Sequence, residues 1–170
     1  MKSKKALFTA LAIAFSAFAL FFLTESIKVI RVKNEIYSRL RKIPSPPLFD
    51  LDSLSFSIPA SDKIVLIYIN SECDFCKKQV DEIASNVENF AAVKIVFIST
   101  EPISKIKTFL NRHSSLKVSN VYFSKINNDR LFDYFGNVAT PTIWIYRGAL
   151  LRQFKQLTSS KAILKAFGKY

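Results

Sequence analysis

The sequence predicts an α/β chain, with a central mixed β-sheet covered by helices on both faces and an N-terminal transmembrane helix in front of it. Three observations carry this expectation. Apolar runs rich in β-branched residues at 64–69, 93–98 and 143–146 have the length of buried strands. Segments with apolar residues every three or four positions stand between them. Near the start of the chain, eighteen residues without a charge, 6–23, follow the basic leader Met1-Lys2-Ser3-Lys4-Lys5.

Two readings of that leader compete. Ala17-Phe18-Ala19 matches the small-x-small pattern of a cleaved signal peptide. Leu20-Phe21-Phe22-Leu23 carries the apolar run past that point, and eighteen residues approach the lower limit for spanning a bilayer, which favours an uncleaved anchor over residues 1–24. The formal charge of the chain is +12, of which +7 lies in residues 1–42, where nine Lys/Arg face Glu25 and Glu35. Basic residues crowded around an apolar segment suit anionic lipid headgroups. A nucleic-acid surface calls for a basic stripe on the folded domain, and the remaining +5 forms none. Six Lys/Arg after the apolar run favour a cytoplasmic body by the positive-inside count, whereas a signal-like segment with a very short leader exports the domain behind it. Export to the extracytoplasmic, periplasmic side is the expectation, with a cleaved secreted form as the alternative.

From 25 to 43, Val29, Val32, Ile36, Leu40 and Ile43 share one helical face, and Lys28, Arg31, Lys33, Arg39 and Arg41 occupy the others. This pattern fits a basic helix on a membrane surface, a self-pairing helix or a plain stalk. Pro44-Ser45-Pro46-Pro47 ends it. The expected organisation is an anchor at 1–24, a basic amphipathic helix and Pro-rich linker at 25–46, and a domain at 47–170.

Within the domain, the alternating stretches at 48–51 and 54–58 predict a small hairpin, and 64–69 the first long strand. Val80, Ile83 and Val87 give a helix after Cys76 an apolar face. A strand at 93–98, a helix at 101–111 and a short strand at 121–123 come next. A helix at 127–135 is closed by Gly136. The strand at 143–146 turns through Arg147-Gly148 into a partner at 149–154. A last helix, capped by Ser159 or Ser160, ends near Phe167. With only three glycines, a Gly-rich phosphate loop is excluded.

The chemistry concentrates in Ser71-Glu72-Cys73-Asp74-Phe75-Cys76-Lys77-Lys78, which holds the only two cysteines. A C-x-x-C spacing lets both sulfurs meet across one helical turn. A cysteine at a helix N-terminus is stabilised as thiolate by free N–H groups and the helix dipole. Cys73 is therefore the expected nucleophile, and Cys76, one turn in and buried, the resolving thiol. Lys77 and Lys78 should lower the Cys73 pKa while Glu72 and Asp74 raise it. A destabilised thiolate makes the couple more reducing, so the balance leans towards a reductant. Ala139-Thr140-Pro141-Thr142 is the second element, because a proline opening a strand can adopt a cis bond.

The strand 64–69 leading through Asn70 into Cys73-Asp74-Phe75-Cys76, together with Phe135-Gly136-Asn137-Val138-Ala139-Thr140-Pro141-Thr142 before a strand, resembles the thioredoxin-like superfamily. It resembles most its membrane-anchored TlpA/ResA-like branch of thiol–disulfide oxidoreductases. The resemblance implies a thioredoxin-like fold over 47–170 and contact of Thr140 with the substrate backbone. It also implies that Pro141 faces the dithiol, and that the redox-active Cys73–Cys76 disulfide serves with no organic cofactor. The implied partners are protein disulfide or dithiol clients and a membrane electron donor. The chain departs from the family at three places. Glu72 replaces the usual Trp before the first cysteine, Ile67 replaces a buried acid six residues before it, and Asp74-Phe75 is an uncommon intervening pair. With the buried acid gone, Glu72 or water is left to accept the Cys76 proton.

Two readings from other classes stand beside this one. Cys73, Cys76 and His113 offer three ligands to copper or another metal, although a structural zinc takes four and His113 is expected at a surface helix end. A non-catalytic docking domain is the other. A peroxidase is disfavoured by Asn70, which stands where a threonine is wanted, and Trp144 and the phenylalanines read as core.

Overall fold

In the computed structural model, the backbone is described for residues 2–168 and side chains for 15–168. Contacts divide the chain between Tyr37 and Ser38. The first unit belongs to helix α1, Lys2–Leu40. The anchor expected over 6–23 rests for half its length, 6–14, on side chains outside the described residues. Among the described residues, no helix is long and apolar enough to cross a membrane. Val29 and Val32 of the amphipathic stripe remain exposed.

The second unit is built on a seven-stranded sheet comprising β1 (Leu48–Phe49), β2 (Ser55–Phe56), β3 (Ile64–Tyr68), β4 (Lys94–Ser99), β5 (Val121–Lys125), β6 (Thr142–Arg147) and β7 (Ala149–Phe154). Their spatial order is β2-β1-β5-β4-β3-β6-β7. Strands β3, β4 and β5 are parallel, which requires one crossover from β3 to β4 and another from β4 to β5, while β6, β7, β1 and β2 join antiparallel at the two sides. Strand β3 is flanked on both sides, and its residues Ile64 to Ile67 are all buried, as a continuous apolar run requires.

The helices are α2 (Asp74–Ala84), α3 (Ile103–Asn111), α4 (Asn128–Phe135) and α5 (Ser160–Lys165). Alternation along the strands sends Val65, Ile67, Ile95, Phe97, Phe123, Ile143 and Ile145 into one core with Val80 and Ile83 of α2, Ile106 and Phe109 of α3, and Ile163 of α5. Phe97 and Phe123 stack there with ring centres 4.6 Å apart. Trp144 lies on the opposite face, against Phe135 of α4 at 4.7 Å. Trp144 Nε1 and Tyr146 Oη are buried without a hydrogen-bond partner. Leu40, Pro44, Pro46 and Leu48 are also buried, so residues 38–48 pack within the second unit. A backbone bridge between Lys42 and Ala149 ties that stretch to β7.

The element boundaries shift for local reasons. Helix α2 stops at Ala84, and Val87 sits in a separate 3-10 turn, because the Asn86 amide turns back to donate to Glu82 O at 2.8 Å. Helix α3 begins after Pro102 rather than at Glu101, whose carboxylate is turned towards Ser71 and Ser99. Strand β5 runs two residues further than its apolar core, since Lys125 pairs with both Phe49 and Ser99. The expected hairpin forms, with Leu48 opposite Phe56. The Asp50 carboxylate closes it by accepting from the N–H groups of Asp52 and Leu54, each at 2.9 Å. Gly136 ends α4 at φ +75°, and Gly148 turns β6 into β7 at φ +66°, both in the region that favours glycine.

Helix α2 is fixed to the C-terminal segment by a buried amide. Gln79 Nε2 donates to Thr158 O at 3.0 Å, and Thr158 N–H donates to Gln79 Oε1 at 2.8 Å. Gln79→Ala leaves two buried backbone groups unpaired and is expected to cost about 2–4 kcal/mol of stability. Urea unfolding of the detergent-solubilised chain, followed by the emission of the single, fully buried Trp144, measures this.

Candidate functional site

The site grows from the C-terminal end of β3, where parallel strands in α/β sheets present their functional loops. Ile69 N–H still pairs with Ile98 O at 2.9 Å, and the chain then turns through Asn70, Ser71 and Glu72. Asn70 Oδ1 accepts from Glu72 N–H at 2.8 Å, and Asn70 O accepts from Cys73 N–H at 3.2 Å. This turn sets Cys73 as the N-cap of α2, where its sulfur accepts from Cys76 N–H at 3.3 Å. A cysteine sulfur here takes the place usually held by a serine or aspartate oxygen.

Cys73 is partly exposed and Cys76 fully buried, both as free thiols. Burial of the Cys73 sulfur opposes its ionisation. Hydrogen bonds from the Cys76 thiol and N–H and from Phe75 N–H outweigh that cost, and the Cys73 pKa lies below its ordinary value. Burial pushes the Cys76 thiol up to about 12, and its hydrogen bond to Cys73 adds to the rise. Asn70 N–H points at the Cys76 sulfur from 3.5 Å. The pair is thus split into one nucleophile and one protonated reserve.

The loop before β6 closes over the dithiol. Thr140–Pro141 is cis, and the Cys73 sulfur lies 3.6 Å from Thr140 O. Thr142 Oγ1 donates to Ala139 O at 2.6 Å and stiffens the turn. The structure therefore brings Cys73, Cys76 and Thr140 together, with Pro141 next in the chain.

Glu72 points elsewhere. Its carboxylate pairs with Lys105 Nζ at 2.5 Å and is 73% exposed. The Lys105 hydrogen bond and charge hold it below the usual carboxylate range. No hydrogen bond joins it to either sulfur among the described residues. Asp74 is likewise held low, by the Lys77 hydrogen bond and charge at 2.8 Å. Of the charges expected to set the Cys73 pKa, Asp74 and Lys77 neutralise one another and Glu72 is taken by Lys105, while Lys78 makes no ion pair among the described residues; hydrogen bonds and burial set the Cys73 pKa. Ile67, at the position of the missing acid, is buried in the core.

Sequence reasoning missed Glu101, just beyond the end of β4. Its carboxylate accepts from Ser71 N–H and from Ser71 Oγ, each at 2.7 Å, and from Ser99 Oγ at 3.2 Å. It fixes the loop that delivers Cys73. The available signal was the polar run Ser99-Thr100-Glu101 directly after a buried strand adjacent to β3.

His113 lies just past the end of α3, after its cap Arg112, and its side chain is only 11% exposed, which corrects the expectation of a surface residue. One ring nitrogen faces Asp81 Oδ1 at 2.9 Å and the other Phe109 O at 3.0 Å. The structure does not bring His113 to the sulfurs. No group of three or more His, Cys, Asp or Glu is placed to hold a metal ion among the described residues.

No family model matches the chain, and no curated protein matches it. Solved structures do. A secreted disulfide oxidoreductase of Mycobacterium tuberculosis, homologous to E. coli DsbE, is 15% identical, with a TM-score of 0.60 over 78% of this chain and 98% of its own. A thioredoxin-like protein of Aeropyrum pernix is 13% identical, with a TM-score of 0.61 over 88% and 98%. The exposed lipoprotein thioredoxin of Streptococcus pneumoniae is 15% identical, with a TM-score of 0.56 over 74% and 99%. At these identities the likeness establishes the fold alone: the chain has a thioredoxin-like fold, with a central mixed sheet and flanking helices.

The split between the thiols has a direct readout. In the reduced protein, iodoacetamide should modify Cys73 with a rate that rises through a pKa below that of free cysteine. Cys76 should stay unmodified until the pH approaches about 12 or the chain unfolds. Glu101→Ala should move the Cys73 rate profile up towards ordinary cysteine, and Glu101→Gln, which keeps an acceptor for Ser71, should largely restore it. Peptide mapping of alkylation against pH checks all three.

Proposed function

We propose that this chain is a thiol–disulfide oxidoreductase acting as a reductant, held at a membrane by its N-terminal helix with the dithiol on the extracytoplasmic side. The observation that carries the exchange reading is the split pair, a partly exposed Cys73 capping α2 with a lowered pKa above a buried Cys76 raised to about 12. In the first step the Cys73 thiolate attacks a client disulfide, forming a mixed disulfide and releasing one client thiolate. In the second, the Cys76 sulfur attacks Cys73, its proton passes to the departing client sulfur, and the Cys73–Cys76 disulfide closes. The client gains two electrons and two protons, and the protein dithiol loses them. Thr140 O, beside the Cys73 sulfur, is positioned for an extended client backbone. Phe75, 60% exposed between the two cysteines, offers an apolar contact to it. Reduced chain is regenerated by an external dithiol donor.

The direction of flow depends on the groups that stabilise the thiolate. A strong oxidant needs a strongly stabilised reduced form. Here Lys77 and Lys105 are engaged by Asp74 and Glu72, and the lowering of the Cys73 pKa comes from hydrogen bonds, with no lysine among its causes. The TlpA/ResA-like membrane-anchored branch fits this reading. It is supported by the uncharged run at 6–23 with its basic flanks, and by the secreted and exposed-lipoprotein descriptions of two structural neighbours.

Redox titration of the detergent-solubilised full chain in dithiothreitol buffers should give a reversible two-electron transition at about −270 mV or below, against about −120 mV for a strong oxidant. Cys73→Ser should abolish exchange, and Cys76→Ser should accumulate mixed disulfides. An absent intramolecular disulfide at every potential would sink the exchange reading. Orientation is tested separately. The chain should sediment with membranes, and a membrane-impermeant maleimide should label Cys73 in intact spheroplasts; labelling only after lysis would put the domain on the cytoplasmic side.

A further inference from the structure

Beside the dithiol, between the β3–α2 loop and α3, lies an open groove of about 440 Å³ that the exchange chemistry leaves unused. Glu72 of the loop, Lys77 of α2, and Lys105, Phe109 and Arg112 of α3 and its cap are among the residues that line it. Three cations and one carboxylate give it a positive excess. The cations differ in their freedom. Lys77 is held by Asp74 and Lys105 by Glu72, whereas the Arg112 guanidinium is exposed and engaged by no side chain or carbonyl among the described residues. An unengaged guanidinium is a fork for a carboxylate.

We infer that this groove docks an acidic stretch of an extended client polypeptide flanking the client cysteine, with the unengaged Arg112 reading its carboxylates. The inference rests on the exchange reading above and names its client chemistry. Charge complementarity selects the occupant. The spacing fits a peptide. The groove starts at Glu72, one residue from the nucleophile. Lys105 and Arg112 are seven residues apart along α3 and its cap, about 10 Å on a helix, which an extended chain covers in about three residues. The residues flanking the client cysteine therefore run past Lys105 towards Arg112 while the cysteine sits at Cys73.

The test uses the reduced full chain in an uncharged detergent. It needs three peptides, each with one cysteine blocked as its thionitrobenzoate disulfide and with Glu, Lys or Ser at the second to fourth positions on both sides. Release of the coloured thiolate reports attack on the peptide sulfur. At about 0.02 M salt the acidic peptide should react about three- to tenfold faster than the basic one, and the ratio should fall towards one near about 0.5 M. Arg112→Glu should reverse the ranking. Equal rates for all three peptides, or a ranking that Arg112→Glu leaves unchanged, overturn the docking site and leave the exchange reading standing. No release from any peptide overturns the exchange reading and the docking site with it. A glutathione–thionitrobenzoate disulfide that outpaces the acidic peptide and loses that advantage in Arg112→Glu overturns the polypeptide assignment in favour of a small acidic thiol.

Discussion

The contact on which the site depends is the 3.3 Å approach of Cys76 N–H to the Cys73 sulfur. It makes one atom serve both as helix cap and, in the proposed exchange, as nucleophile. A cap must accept hydrogen bonds from the first turn, and a sulfur that accepts them well is one that carries negative charge. The start of α2 and the reactivity of Cys73 are thus one property. Burial of β3 between two strands holds the start of this turn, and Glu101 holds its middle through Ser71. The rest of the fold serves to keep these supports from moving.

Strands β3, β4 and β6 were legible because they are continuous apolar runs, and a strand buried on both faces leaves no other way to read them. Helix α4 was legible from its closing Gly136. What escaped the sequence was where polar side chains turn back on the backbone. Asn86 ends α2 early by turning its side chain back on Glu82 O one turn before it, and Glu101 delays α3 past Pro102 by turning to Ser71, thirty positions earlier in the chain. The Pro-rich stretch reads as a linker by composition, yet Pro44 and Pro46 are buried. A proline ring is apolar surface as well as a helix breaker, and the pattern alone does not say which property is used.

At the site, the two cysteines and Thr140-Pro141 were found because their chemistry is rare in the chain and their spacing has few other uses. The electrostatics were not. Sequence order puts Glu72, Asp74, Lys77 and Lys78 near Cys73 and invites a sum of charges, but side-chain reach decides the outcome. Asp74 meets Lys77 one turn away on its own helix, and Glu72 crosses to Lys105 on α3, a partner thirty-three positions later. Glu101 and Arg112 were invisible for the same reason, since the topology that places α3 beside the β3–α2 loop has to be known first.

The sealed position of Cys76 has a consequence for traffic. With its sulfur at zero exposure, no outside thiol reaches it, so in the proposed exchange every partner must enter and leave through Cys73. For an exchange protein this means a single berth. Whatever supplies electrons and whatever receives them must queue for the same sulfur and the same Thr140 carbonyl, and neither can be present while the other reacts. Turnover then takes a substituted-enzyme pattern, in which an excess of one partner inhibits the other by occupying the berth. Throughput is governed by the relative abundance of donor and client as much as by the potential of the dithiol.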